Sequence, residues 1–372
     1  MHAWVNPFLN IMKRTLFALL ALSLSAQAEI SSVASESGLK ISDSVGRAGM
    51  AAVLLEQQGG IIMTGGANFP NALPGAKTPA ERGAKAYYAD VTFLNLGQGC
   101  TTPQAVAVGQ LPAPIGYAAF TAYGNSMVIA GGCNDSGHVA TVTCTELKNG
   151  EAVTSMWPEL PITMAYPAFA VVGSKLYVMG GQEKADSVTT LSRCFVLDMA
   201  APGEGWKEIS RMPEARMLAA AGVVDGCIYV MGGCSLHPDA NGAAERTYLH
   251  SVMCYNPATD TWSTMPAPMP EPLVGAANPL PSYEGKLYVV AGDPGNFYRA
   301  SLTGKAPAEH PGQNYTVYSF APASARWTNE GRNATGVATC PAVQWGDSIY
   351  IISGETHPGI RTPLISNIIL TK

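Results

Sequence analysis

Six times along the chain an apolar run rich in β-branched and aromatic residues ends in glycine, at residues 60–66, 126–132, 175–181, 227–233, 286–292 and 348–354. Such runs, bounded by turn signals, predict buried strands, since they are too short for helices and too continuous for a half-exposed surface. Around each run the same parts recur in the same order. The clearest copy spans residues 216–265. It has an inner strand at 218–224, an Asp225-Gly226 turn that calls for positive φ, and then the glycine-terminated strand. A long connection leads to a third strand at 251–255, and a turn at 256–260 enters an aromatic-containing outer strand at 261–265.

The glycine landmarks recur at intervals of roughly 50–65 residues, the period of kelch-type propellers, in which one repeat makes one four-stranded blade. Inner strands are expected to begin near Arg47, Gly116, Tyr166, Arg216, Val274 and Thr335, which makes six blades. The sixth copy reaches only a third strand, at 366–370, whereas residues 30–42 precede the first inner strand. The expected fold is therefore all-β: a six-bladed kelch-type propeller closed by the N-terminal strand joining the C-terminal blade. That pairing removes the free edges an open sheet would present.

In such a blade the start of the inner strand and the end of the second strand lie on one face. The connections on that face are long, as at 67–86 and 234–249, while the turns at 172–174, 284–285 and 345–347 on the other face are tight. Long loops on a rigid scaffold are where binding concentrates, so a funnel is expected at the long-loop end of the axis. Inner-strand starts contribute Arg47, Tyr117, Tyr166, Arg216 and Asn333 as candidates, and second-strand loops contribute Asn68, Phe69, Glu355 and Arg361. Arg47 and Arg216 either touch ligand or brace neighbouring blades. Tyr117 and Tyr166 are read as blade-packing residues, Phe69 as shaping its loop, and His357 as a solvent-exposed loop residue. Only the last copy places a Glu directly after its glycine, with an arginine six residues further on.

The N-terminus changes the picture in one respect. Met12-Lys13-Arg14, an apolar stretch at 15–24 and Ala26-Gln27-Ala28 have the charged, apolar and small-residue regions of a cleavable secretory signal. Translation is expected to start at Met12, with residues 1–28 removed and 29–372 forming a single periplasmic or secreted domain. No other segment is long and apolar enough to insert into a membrane. A net charge of −5 without any basic run argues against a nucleic-acid partner. The eight cysteines lack metal-ligand spacing and several fall in predicted strands, so most are read as core fillers, with room for one or two bridges.

Nucleophile elbows, metalloprotease helices, phosphate loops and dinucleotide fingerprints are absent in any suitable context. The stretch Gly354-Glu355-Thr356-His357-Pro358-Gly359-Ile360-Arg361-Thr362 resembles the Gly-Glu-x-x-Pro-Gly-x-Arg-Thr motif of the bacterial N-acetylneuraminate epimerases, or sialic acid mutarotases, which are six-bladed kelch propellers. Gly65-Gly66-Ala67-Asn68-Phe69-Pro70 and Lys85-Ala86-Tyr87-Tyr88-Ala89-Asp90 are similar to further stretches of that family. The order of these stretches resembles its cyclically permuted branch. The resemblance implies interconversion of the α and β anomers of N-acetylneuraminate, with Glu355 and Arg361 catalytic and Arg47, Asn68, Phe69 and Arg216 near the substrate. Such ring opening calls for no metal and no organic cofactor. A non-catalytic kelch module binding glycan or protein is the alternative. A sugar oxidase would need a copper-ligand cluster that the sequence does not display.

Overall fold

Room is scarcest near the axis of a propeller, and the innermost strands are accordingly short and rich in small residues. In the computed structural model, which describes residues 30–72, 79–97, 103–305 and 309–370, these strands are Ala48–Leu55, Ala119–Tyr123, Ala168–Val172, Ala220–Val224, Ser282–Tyr283 and Ala342–Trp345. At Gly222 not even a methyl fits, because a Cβ would lie 2.6 Å from Leu287 Cδ2 and 2.8 Å from Leu280 Cβ in the next blade. Outside each inner strand follow a second, a third and an outer strand, paired in that order and all antiparallel. The second strands are the most buried; every residue of Gly60–Asn68 is shielded from solvent.

Six such sheets form the ring, and the sixth is closed as the incomplete last repeat requires. Strand Ile30–Lys40 pairs antiparallel with Leu364–Leu370, from Ile30 opposite Leu370 to Lys40 opposite Leu364. The N–H of buried Ile41 continues the seam by donating to Pro363 O at 2.9 Å.

Neighbouring blades are joined near the axis by backbone hydrogen bonds. Gly49, Tyr117, Tyr166, Leu218, Gly275 and Thr339, one at the entry to each inner strand, all take left-handed φ between 54° and 67°. Each donates its N–H to the carbonyl of its counterpart in the preceding blade, and Gly49 donates to Thr339, so that six bonds of 2.6–2.9 Å close a circle around the axis. The landmark glycines make a second set of seams. Gly66, Gly132, Gly181, Gly233, Gly292 and Gly354 donate to carbonyls of the following blade at 2.7–3.0 Å. In four blades a glycine precedes them and allows the same closeness: at Gly232, φ 64°, a Cβ would stand 2.5 Å from Leu273 O, whereas in blade five Ala291 takes the position with φ 69°. In blade six Ser353 takes that position with φ 57°, and its hydroxyl lies 2.6 Å from Thr362 O while accepting the Arg47 N–H at 2.8 Å.

At the rim the aromatic outer ends tie each blade to the one before. The indole N–H groups of Trp206, Trp262 and Trp327 donate to the carbonyls of Pro158, Ser210 and Ala267 at 2.9, 2.9 and 3.4 Å. The repeat expected at 216–265 is present, with Asp225 and Gly226 at φ 50° and 74°, but its inner strand starts at Ala220 because Leu218 belongs to the axial circle. The long connection after its second strand is itself a hairpin, Cys234–Pro238 paired with Ala244–Tyr248. All seven described cysteines are free thiols, so the room for bridges is unused among them. Cys100 and the expected signal at 1–28 lie outside the described residues. Among the described residues no helix is long and apolar enough to cross a membrane.

Removal of residues 30–42 strips the closing strand and leaves Leu364–Leu370 as an open edge. The truncated protein should lose its cooperative thermal transition or aggregate on heating, as followed by circular dichroism and light scattering; an unchanged melt would contradict closure by this strand.

Candidate active site

The glycine that ends a second strand delivers the next residue to the mouth of the axis. Ala67, Cys133, Gln182, Cys234, Asp293 and Glu355 occupy this position in successive blades, each bridged to the residue at the foot of its own inner strand, as Ala338 is to Glu355. In blade six the chain then doubles back as a hairpin, Glu355–His357 against Ile360–Arg361, turning at Pro358-Gly359 with Gly359 at φ 83°. The register sets Glu355 directly opposite Arg361, and residues opposed in an antiparallel pair have adjacent side chains. A spacing of six in sequence thus becomes an ion pair: Arg361 Nη2 lies 2.7 Å from Glu355 Oε2. Arg82, from the first blade's loop, donates to Pro358 O at 3.2 Å and packs so closely on Gly359 that a Cβ there would collide with it.

The pair lines a funnel of about 630 Å³ whose other cation nearby is Lys85. Four side chains of the axial circle, Tyr117, Tyr166, Leu218 and Thr339, form its floor and separate it from a small apolar cavity of about 60 Å³ deeper on the axis. Gln182 and Asp186 of blade three and Arg246 of blade four stand on the far side.

Burial dominates the electrostatics of the pair. Desolvation raises the pKa of Glu355 above its ordinary 4.5, against the opposing pull of Arg361, of the Gly359 N–H and of the Lys85 and Arg82 charges. The Arg361 side chain is 4% exposed and Glu355 22%, so the carboxyl is the part that meets the funnel. Arg361 stacks on the Phe69 ring, its Cζ 4.9 Å from the centroid, with Arg82 at 5.8 Å from the same ring. Its Nε and Nη1 are buried and have no hydrogen-bond partner among the described residues. Lys85 Nζ stands 4.5 Å from the Tyr117 ring and 4.9 Å from Tyr87.

The other sequence candidates are placed differently. Arg47 is buried and points into a blade seam, with Nε on Asp43 at 3.0 Å, Nη1 on Asp90 at 2.7 Å and its plane 3.7 Å from Tyr88. Asn68 belongs to the same cluster, donating to Gly46 O at 2.9 Å and accepting from the Tyr88 hydroxyl at 2.7 Å. Arg216, fully buried, donates to Gly232 O at 3.0 Å, Ser251 Oγ at 2.6 Å and Glu214 at 2.6 Å. Asn333 turns on itself, its amide donating to Thr335 O at 3.0 Å. None of these four is part of the funnel lining, whereas Phe69 reaches it through Arg361. His357 is half-buried, its ring 5.9 Å from His310.

Tyr117 and Tyr166, expected to be packing residues, both line the funnel, because left-handed φ at these positions turns their side chains to the axis. Lys85 was not singled out by the sequence; its signal is that it precedes Ala86–Tyr87, which pairs with the end of the second strand at Ala67 and Asn68. Gln182 carries the same signal as Glu355, directly following a landmark glycine, here Gly181.

Comparison with known proteins agrees with this architecture. Residues 31–233 match the model of the KLHDC2/KLHL20/DRC7 Kelch-repeats domain, and residues 157–314 match that of N-acetylneuraminate epimerase. Neither match reaches Glu355 or Arg361. Among curated proteins the chain is similar to an N-acetylneuraminate epimerase of Haemophilus influenzae (strain 86-028NP), 28% identical over 189 residues, covering 45% of this chain and 49% of the relative. It is 26% identical over 192 residues to those of Shigella flexneri serotype 5b and Escherichia coli K12, covering 46% of this chain and 50% of each relative. The chain thus spans about half the length of the curated relatives it matches.

Arg216 and Arg361 should separate in a stability measurement. Arg216→Met leaves Gly232 O and the Ser251 carbonyl and hydroxyl without their buried donor and should lower the unfolding free energy by on the order of 2 kcal/mol in urea titration. Arg361→Met should cost less, because desolvation already opposes the charge on Glu355 and two Arg361 donors lack a partner among the described residues from the start. Equal losses would show that Arg361 is a brace like Arg216.

Proposed function

The chain belongs to the kelch-repeat family, and from that premise we propose that its funnel interconverts the α and β anomers of N-acetylneuraminate by acid/base-assisted ring opening. The observation that carries the proposal is Glu355 facing Arg361 at the funnel wall, a carboxyl whose burial raises its proton affinity beside a guanidinium with two unpaired donors. The partial similarity to proteins named N-acetylneuraminate epimerase supports the same reading.

In the proposed reaction the Glu355 carboxylate takes the proton from the anomeric hydroxyl while a water molecule gives one to the ring oxygen and regains it when the ring recloses. The C–O bond of the hemiketal breaks, the open-chain ketone rotates, and reclosure on its other face returns the proton through Glu355. A positioned acid/base contributes about 10²–10⁴-fold, enough for a reaction that also proceeds unaided in water. The substrate carboxylate belongs at Arg361: if it displaces the Phe69 ring, it supplies acceptors for Nε and Nη1, and Lys85 adds a second positive charge at the same wall. Fixing the carboxylate also fixes the neighbouring anomeric carbon against Glu355, which is an orientation effect. The signal-like segment at residues 12–28 supports a periplasmic or secreted location for that activity.

Proton NMR of freshly released α-N-acetylneuraminate tests the proposal. Glu355→Gln should bring anomer exchange down to the spontaneous rate while the sugar still binds, and Arg361→Lys should weaken binding because an ammonium cannot form the paired contacts of a guanidinium. Retained exchange in Glu355→Gln would reject the proposal in favour of an ion pair that only pins the hairpin. Since burial raises the Glu355 pKa, the basic form is lost at a higher pH than for an ordinary glutamate. The kcat/KM of the wild type should therefore fall with decreasing pH through an apparent pKa above 4.5.

A further inference from the structure

The two sides of the funnel differ in chemistry. Lys85, Glu355 and Arg361 belong to blades one and six, whereas Val188 of blade three and Met217, Leu236 and Ala244 of blade four line the other side. In a closed ring of six, blade three stands opposite blade six and blade four opposite blade one, so the ion pair faces, across the mouth, a wall on which Val188, Met217, Leu236 and Ala244 form an apolar strip beside Gln182, Asp186, Ser187 and Arg246. The apolar wall is rigid. Leu236 is held in the hairpin Cys234–Pro238 and Ala244–Tyr248, is 8% exposed, and packs on buried Met217 and Cys234. Its cross-strand partner Arg246 also lines the funnel and offers guanidinium donors beside the apolar surface.

The geometry points to an acyl-binding subsite at Leu236, Met217 and Val188 that takes the substituent on C5 of the sugar acid, the methyl of an acylamino group against the apolar wall and its carbonyl towards Arg246. This assignment rests on the anomerisation proposed above. In the pyranose ring of a nonulosonate C5 stands across the ring from the anomeric carbon C2. With the carboxylate at Arg361 and the C2 hydroxyl at Glu355, the C5 substituent is therefore aimed over the axis at blades three and four. An acetamido methyl removes apolar surface from water on both sides of the contact. A glycolylamido group sets a hydroxyl against the Leu236 side chain, which offers it no partner, and a bare hydroxyl leaves that apolar strip unfilled.

Calorimetric titration with three sugar acids that differ only at C5, bearing acetamido, glycolylamido or hydroxyl, tests the subsite. The wild type should bind the acetamido sugar about tenfold or more tighter than the hydroxyl sugar, with the glycolylamido sugar between them. Leu236→Asn should compress that difference to within about threefold, and Val188→Thr, which keeps the volume of the side chain, should compress it in part if the first variant does not fold. Equal affinities in the wild type, or a preference that the folded variants keep, would overturn the subsite. NMR anomer exchange on the same samples reports on the activity separately. A C5 preference without exchange supports the subsite and rejects the acid/base role of Glu355, and failure to bind any of the three overturns both.

Discussion

A propeller stands or falls on whether its blades can approach the axis closely enough to hydrogen-bond to one another. Here that requirement is met by the closed circle through Gly49, Tyr117, Tyr166, Leu218, Gly275 and Thr339. Left-handed φ costs a residue with a Cβ roughly 1–2 kcal/mol, and four of the six carry one. The cost is offset because a buried N–H at the axis has no water to turn to, and the circle gives each of the six a partner. The same economy of space explains the landmark glycines, whose missing side chains let the second strand of one blade meet the carbonyls of the next.

The circle also decides where chemistry can be added. It fixes the foot of every inner strand, and bridging to that foot fixes the residue after every landmark glycine, so six equivalent positions ring the mouth of the axis, of which Gln182 and Glu355 line the funnel. Five of them hold Ala67, Cys133, Gln182, Cys234 and Asp293. At the sixth, Glu355 begins a two-stranded hairpin that supplies its own counterion from directly across the ladder. The scaffold bears the stability, and the hairpin can carry a half-desolvated carboxyl without holding any blade together.

Three arginines show how local partners set a role. Arg47 and Arg216 are each met by carboxylates and carbonyls already in place, and burial lowers the pKa of Arg216 only to about 10, so it keeps its charge in the seam at neutral pH. Arg361 is as deeply buried, yet it has one carboxylate, one aromatic face and two donors with nothing to bind. A brace is saturated by the protein itself. Arg361 has capacity left over among the described residues.

The sequence by itself determined the repeat, the number of blades, the strand order within a blade and the strand that closes the ring, because these follow from glycine-terminated apolar runs at a regular period and from one repeat lacking its outer strand. It also put Glu355 and Arg361 on one loop at the funnel end, although the hairpin that pairs them emerged only in the structure. Only the tertiary structure decided which arginines face the funnel, that Tyr117 and Tyr166 are its floor, and that Lys85 stands beside the ion pair while Leu236 and Met217 stand across from it. These depend on contacts between blades far apart in sequence and on left-handed backbone at positions where Tyr and Leu carry no signal for it. Local pattern specifies a blade, whereas the inside of the ring exists only once all six are in place.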